Sequence, residues 1–338
     1  MRSFFSQVTS FLETTVAPIS NELDSHQNLL RNCYQKWTEL GGLRLLVPCQ
    51  YNGLGCERHE WIQYTSQLAE YSGALLFLQA QHQYAISRLK KFLPDIKIAS
   101  VLRSLAKDNE GVGIAFAANK KILAVEEHAG GFIISGTLKW VTGLDYFSKI
   151  LFSFDINGLD YYCFLPFKTI DTSLVLSPIL EPIVFSAANT VTITLKDYFI
   201  SSDDIIASHP FQSKTPFEHP GIYSFLGASK ALLKIAATAK YHDNVLAIKR
   251  LNQLLKEWEN YYAEVMHPTL GPFQLRAIGL RLAEKCLSFA KLVCGSQGLL
   301  PAHAITRLSR EIWQYSIGGY SESQLEAYLE QKEGQDHV

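Results

Sequence analysis

The hydrophobic period of this chain changes twice, and that constrains its fold more than any single motif. Up to about residue 110 apolar residues recur at helical spacing: Phe5, Val8, Phe11 and Leu12, then Leu29, Leu30, Cys33 and Trp37. From Gly111 they alternate, as on a half-buried strand. Beyond Pro220 they step again by three and four, as in Ile248, Leu251, Leu255, Trp258, Tyr262 and Val265. The strand candidates are Gly111 to Ala117, Ile122 to Glu126, Phe132 to Gly136, Ile150 to Phe154, Tyr161 to Leu165 and Thr190 to Leu195. No helix-sized gap separates them, which argues for an antiparallel barrel or sandwich and against a doubly wound sheet. Gly111-Val112-Gly113 lacks the third glycine and the following helix of a dinucleotide fingerprint.

The expected architecture is therefore α+β, mainly α, in series. An N-terminal helical domain takes 1–110, a middle antiparallel β-barrel or sandwich domain 111–205, a Pro/His/Ser linker 206–220, and a C-terminal helix bundle 221–338. In the first unit Pro18 ends one helix and Gly41-Gly42 another, and a Gly-rich loop at Tyr51 to Gly55 precedes helices at 57–71 and 74–92. In the bundle, Leu275, Ile278, Leu282, Cys286 and Phe289 make one stripe, Ile305, Leu308 and Ile312 another, and Leu325 to Leu329 begin a last helix.

At 338 residues, 47% hydrophobic and 19% charged, the chain reads as globular. A net charge of −1 without long runs of either sign points away from nucleic acid and anionic membrane, and no apolar run approaches the roughly 20 residues of a membrane span. The N-terminus forms no signal-peptide core. Six cysteines without C-x-x-C spacing read as buried thiols in a reducing cytoplasm, and neither they nor the histidines form a metal pattern.

Gly136-Thr137-Leu138-Lys139-Trp140-Val141-Thr142-Gly143 closes one alternating run. On a regular strand Trp140 and Thr142 share a face, a broad indole beside a short hydroxyl. That pairing suits a flat heteroaromatic ring, and equally suits ordinary cross-strand packing.

Several stretches then match one family in order. Glu39 to Pro48 with Tyr51 to Gly55, Phe132 to Gly143, and Thr190 to Ile200 are followed by Gly295-Ser296-Gln297-Gly298, Arg307-Leu308-Ser309-Arg310-Glu311 and Gly319-Tyr320-Ser321-Glu322. Together they resemble the acyl-CoA dehydrogenase superfamily across nearly the whole chain. The resemblance implies a bound flavin, FAD in most members, and a small-molecule substrate such as an acyl thioester. It implies a homodimer or homotetramer with the cofactor near an interface. By position, Trp140 would flank the flavin ring and Thr142 would hydrogen-bond near its reactive N5. Gly295, Gln297 and Gly298 would let backbone approach the phosphates from a neighbouring subunit, and Tyr320 and Glu322 would lie along the adenosine half. Arg307 and Arg310 would tie the last helices together.

The chain also departs from the family. Phe116 to Lys121 replaces a longer flavin-contacting loop, and no diphosphate-gripping "R-x-x-F-G" segment is recognisable around Arg250, which brings FMN, or no flavin, into consideration. The family's catalytic Glu precedes the "G-T", where this chain has Gly318. The alternative base position on the first bundle helix has no carboxylate, since 221–239 contains neither Asp nor Glu. Three functions follow. The first is an acyl-CoA dehydrogenase-like flavin oxidoreductase whose base comes from elsewhere, Glu218 or a partner subunit. The second is a monooxygenase of the same superfamily using reduced flavin and O2, with His82 and Thr142 as its polar groups. The third is a non-catalytic scaffold or partner subunit. His82 also reads as a satisfied helix histidine, Ser321 as part of a capping box with Gln324, and Trp258, Tyr261 and Tyr262 as core.

Overall fold

The computed structural model describes residues 2–108, 110–116, 123–210, 220–317, 326 and 329. The first unit contains α1 (Arg2–Phe11), α2 (Gln27–Glu39), α3 (Arg58–Tyr71), α4 (Gly73–Lys90) and α5 (Ile96–Asp108). Local chemistry sets the boundaries. Gly41 ends α2 at φ 94, a left-handed position that glycine reaches without strain. Glu57 and Glu60 form a reciprocal capping box at the start of α3, and the Ser72 hydroxyl accepts from the Leu75 amide at 3.1 Å to start α4. Helix α5, which sequence reasoning did not separate, follows Asp95, whose carboxylate accepts from the Ile98 amide at 3.0 Å.

Among the described residues the β unit is two four-stranded sheets, and those strands form no closed barrel. One runs β1 (Val112–Phe116), β4 (Lys149–Ile156), β5 (Leu159–Pro166), β8 (Ala207–Pro210); the other runs β2 (Ala124–His128), β3 (Gly131–Thr142), β7 (Thr190–Ser201), β6 (Leu174–Leu176). The expectation of a wholly antiparallel unit is corrected in one place: β1 pairs with β4 in parallel, Val112 opposite Lys149. The segment expected to be a linker begins as strand, since β8 pairs with β5.

The bundle contains α6 (Gly221–Ala237), α7 (Val245–Met266), α8 (Pro272–Cys294) and α9 (Ala304–Ile317). The expected last helix falls mostly outside the described residues. Helix α6 lies close on α3: a Cβ at Gly227 would sit 2.2 Å from the Ser66 carbonyl oxygen, so only glycine fits. The stripe expected on α7 is partly wrong, because Leu254, Tyr261 and Val265 are buried while Ile248 and Leu255 are exposed. Tyr261 donates to the Ile222 carbonyl at 3.1 Å and Trp258 Nε1 to the Leu226 carbonyl at 2.9 Å, which makes both of them core. Five cysteines are buried and Cys49 is exposed, a correction for that one.

Helix α9 is tied to the first unit by buried charge. Arg307 Nη1 donates to both carboxylate oxygens of Glu311 at 2.9 Å, and Glu311 Oε1 accepts from the Gly73 amide at 3.0 Å. Arg310 donates to Asp24 at 2.7 Å. The arginines thus join α9 to the N-terminal unit and do not merely bind the last helices to one another.

Gln79 on α4 is fully buried, and among the described residues neither its amide nitrogen nor its carbonyl oxygen has a partner. A buried amide in that state costs about 1–3 kcal/mol. A Gln79→Met chain is expected to gain stability of that order, read as a higher urea midpoint. A lower midpoint would mean the amide is paired in solution.

Candidate functional site

The octet that ends β3 is not a regular strand. The β3–β7 register slips between Ile134 and Gly136 and again between Leu138 and Val141. The second slip centres on Trp140, which sits at φ 60. A bulge adds one residue and breaks the two-residue alternation. The expectation that Trp140 and Thr142 share a face is corrected: Trp140 is 67% exposed, whereas Thr142 is 3% exposed. The bulge turns the indole outward, while Thr142 remains in the ladder opposite Thr190.

The two threonine hydroxyls lie 3.0 Å apart. Two hydroxyls joined in this way use one proton between them, leaving a second for a further acceptor. Thr190 was not singled out from the sequence, and only the register places it there. Just beyond, the Gly143 amide donates to the Ala188 carbonyl at 3.0 Å, and Asn189 Nδ2 donates to the Leu144 carbonyl at 3.1 Å, which pins the end of β3 to the start of β7.

His82 lies on α4, which α5 separates from the β unit. It is fully buried. Its Nε2 donates to the Leu43 carbonyl at 2.9 Å, and its Nδ1 accepts from the Val112 amide at 3.0 Å. Those partners select the neutral tautomer with the proton on Nε2, and burial lowers its pKa to about 4. Both nitrogens are occupied in holding the loop after α2 and strand β1 to α4.

Gly295 caps α8 at φ 60, ψ −145, a region open essentially to glycine alone. Gln297 is exposed. At Gly298 an added Cβ would meet only ordinary contacts, the nearest Ile305 Cδ1 at 3.4 Å, so the fold itself does not demand glycine there. Gly318, Tyr320 and Glu322, like Glu218, lie outside the described residues. Among the described residues no group of three or more His, Cys, Asp or Glu side chains could hold a metal ion, and no helix is long and apolar enough to cross a membrane.

Residues 1–108 match the family model of the acyl-CoA dehydrogenase N-terminal domain. An isovaleryl-CoA dehydrogenase of Pongo abelii is 27% identical over 154 residues, 42% of this chain. The match spans 36% of that relative's length. By sequence the match to the acyl-CoA dehydrogenases lies in the N-terminal domain, and the chain as a whole has the acyl-CoA dehydrogenase fold. Solved structures of acyl-CoA dehydrogenase fold extend the likeness to nearly every residue. A glutaryl-coenzyme A dehydrogenase in complex with glutaryl-CoA superposes with TM-score 0.78 at 14% identity, covering 95% of this chain and 92% of that one. An acyl-CoA dehydrogenase of Bacillus anthracis complexed with FAD gives 0.78 at 13%, covering 94% and 63%. TdsC of Paenibacillus sp. A11-2, a dibenzothiophene monooxygenase, with FMN and indole gives 0.76 at 12%, covering 100% and 98%. At these identities the likeness is one of fold, and the acyl-CoA dehydrogenase fold here includes both dehydrogenases and a monooxygenase.

Proposed function

We propose that this chain is a flavin-dependent oxidoreductase that stacks the flavin ring on Trp140 and oxidises the CH–CH bond of an acyl thioester. The observation that carries the proposal is Trp140 itself. A bulky residue at positive φ is strained by about 1–3 kcal/mol, and an outward indole also leaves apolar surface in water. A flat ring laid on the indole offsets both.

When bound, the flavin accepts the hydride that leaves the substrate's β-carbon. The chain's own residues hold and orient the ring, and a carboxylate must take the α-proton. Helix α6 has no Asp or Glu to do so, and the family position is Gly318. We assign that role to Glu218 or to a carboxylate of a second copy. The geometry of His82 favours the dehydrogenase over a monooxygenase, since neither ring nitrogen is left to face a reacting group. FAD is the proposed flavin, with Gly295, Gln297 and Gly298 admitting its diphosphate from a neighbouring subunit and Tyr320 and Glu322 along its adenosine. The chain would act as a homodimer or homotetramer. Exposed Tyr241, Val245, Leu246, Leu292, Leu299 and Leu300 supply apolar surface for that contact.

The test is spectroscopic. Protein saturated with FAD should show a bound-flavin visible spectrum that bleaches anaerobically with an acyl thioester. Trp140→Ala should weaken FAD binding about 5- to 100-fold, the equivalent of about 1–3 kcal/mol of aromatic stacking. Unchanged affinity in Trp140→Ala would remove Trp140 from the site. A flavin that stays oxidised with every thioester chain length would remove the reaction.

A further inference from the structure

A cavity of about 260 Å³ lies between α3, α4 and the start of α6. Leu76, Ala80, Tyr84, Ser87 and Lys90 step along α4 by three or four and so project from one side of the helix into one wall. Rings from three helices line the space: Trp61 of α3, Tyr84 of α4 and Tyr223 of α6. Lys90 ends the stripe. No Asp or Glu is among the described residues that line the hollow.

Lys90 is half-buried, and its ε-nitrogen has no ion-pair or hydrogen-bond partner among the described residues. The groups that share the hollow do not hold it charged. Arg58 is a second cation, and it donates to the Met266 and Val265 carbonyls at 2.9 and 2.8 Å. Cys56 is a neutral thiol, because burial pushes its pKa up to about 12. Burial also lowers the Lys90 pKa from its ordinary value. A larger share of this amine than of an exposed one is therefore unprotonated, and an unprotonated amine is a nucleophile. An apolar hollow with a nucleophile at one end selects a neutral, electrophilic ligand.

We propose that Lys90 is a covalent capture site for a single-ring aromatic aldehyde, which enters the hollow and forms an imine with the ε-amine. An apolar cavity of roughly 150 Å³ accepts benzene, so this one has room for a ring and its aldehyde group. The rings that line the hollow suit an aromatic guest, which packs on them by face or edge. The amine's lone pair attacks the carbonyl carbon, and the carbonyl oxygen takes up a proton that the nitrogen loses. The resulting carbinolamine expels water with the nitrogen's second hydrogen, which breaks the C–O bond and leaves C=N. No electron is gained or lost overall, and no co-reactant is needed. The inference does not rest on the flavin reading, because neither the amine nor its test involves Trp140 or a flavin.

The experiment treats the full chain with benzaldehyde and sodium cyanoborohydride, which reduces an imine to a stable benzylamine, and maps the benzyl groups by peptide mass spectrometry. Lys90 should be labelled at least about ten-fold faster than the exposed Lys107 and Lys291, because the hollow holds the aldehyde against the amine. Its rate should saturate as benzaldehyde is raised, whereas the exposed lysines respond in proportion. Toluene, which fills the hollow and cannot react, should slow labelling of Lys90 and leave the others unchanged. Ala80→Phe should do the same without a competitor. A thermal midpoint establishes that this variant is folded, and toluene competition on the unaltered chain gives the same readout if it is not. No benzyl group at Lys90, a Lys90 rate equal to that of the exposed lysines, or a Lys90 rate indifferent to toluene would each overturn the proposal.

Discussion

A chain carrying Arg307→Leu is expected to lose about 3–5 kcal/mol of folding stability, the range for stripping one partner from a buried ion pair. The side chains of Arg307 and Glu311 are 3% and 2% exposed, so water cannot take over either charge. Burial pushes the Glu311 carboxyl up from its ordinary pKa, and Arg307 opposes that shift. Without the guanidinium the carboxylate must either remain charged in the core or take up a proton and lose its strongest contacts. The Gly73 amide and the Glu70 carbonyl, which the pair also serves, lose good partners in the same event. The double variant Arg307→Leu/Glu311→Leu should recover part of the loss, because an apolar pair strands no charge. Equilibrium urea unfolding of the two single variants and the double variant measures the coupling. Additive losses would mean that the two side chains do not depend on each other.

The second large effect is acid sensitivity set by His82. In the unfolded chain this imidazole titrates near 6.5; in the fold its pKa is lowered to about 4, chiefly by burial. A depressed histidine pKa means that the unfolded state binds the proton first. The stability contribution is therefore complete above pH 6.5 and is lost as pH falls toward 4. Over that window the shift corresponds to about 3 kcal/mol. Urea midpoints taken from pH 7.5 down to 4.5 should fall accordingly. His82→Gln should be less stable at neutral pH, since two bonds are disturbed, yet should lose this part of the pH slope. Equal slopes in the two chains would show that His82 does not titrate in this way.

Much of the fold could be read from the sequence because hydrophobic period is a local property. The change at Gly111 and the return near Pro220 mark the units without any knowledge of contacts. Helix α5 was missed because Pro94 reads as a stop, while the stripe of Ile98, Leu102 and Leu105 that follows is short. The parallel β1–β4 pairing joins residues far apart in the chain, and no local signal encodes it. The candidate site was legible as residue types but not as geometry. Nothing in Leu138-Lys139-Trp140-Val141 announces a bulge, so regular alternation placed the indole on the wrong side. His82 bonds to groups 39 and 30 residues away, and the same sequence would fit an exposed histidine equally well.

The arginine ties of α9 also bear on the order in which the chain can mature. Asp24 meets Arg310 across 286 residues of sequence, and the Gly73 amide at the head of α4 waits for Glu311. During synthesis the first helical unit emerges long before its partners do. Until residue 311 clears the ribosome, the Asp24 carboxylate and the first turn of α4 have only water to bond. The unit that leads in the chain is thus among the last to be finished, and a nascent or truncated chain would leave the Asp24 segment and the junction of α3 and α4 open on the side that α9 later closes.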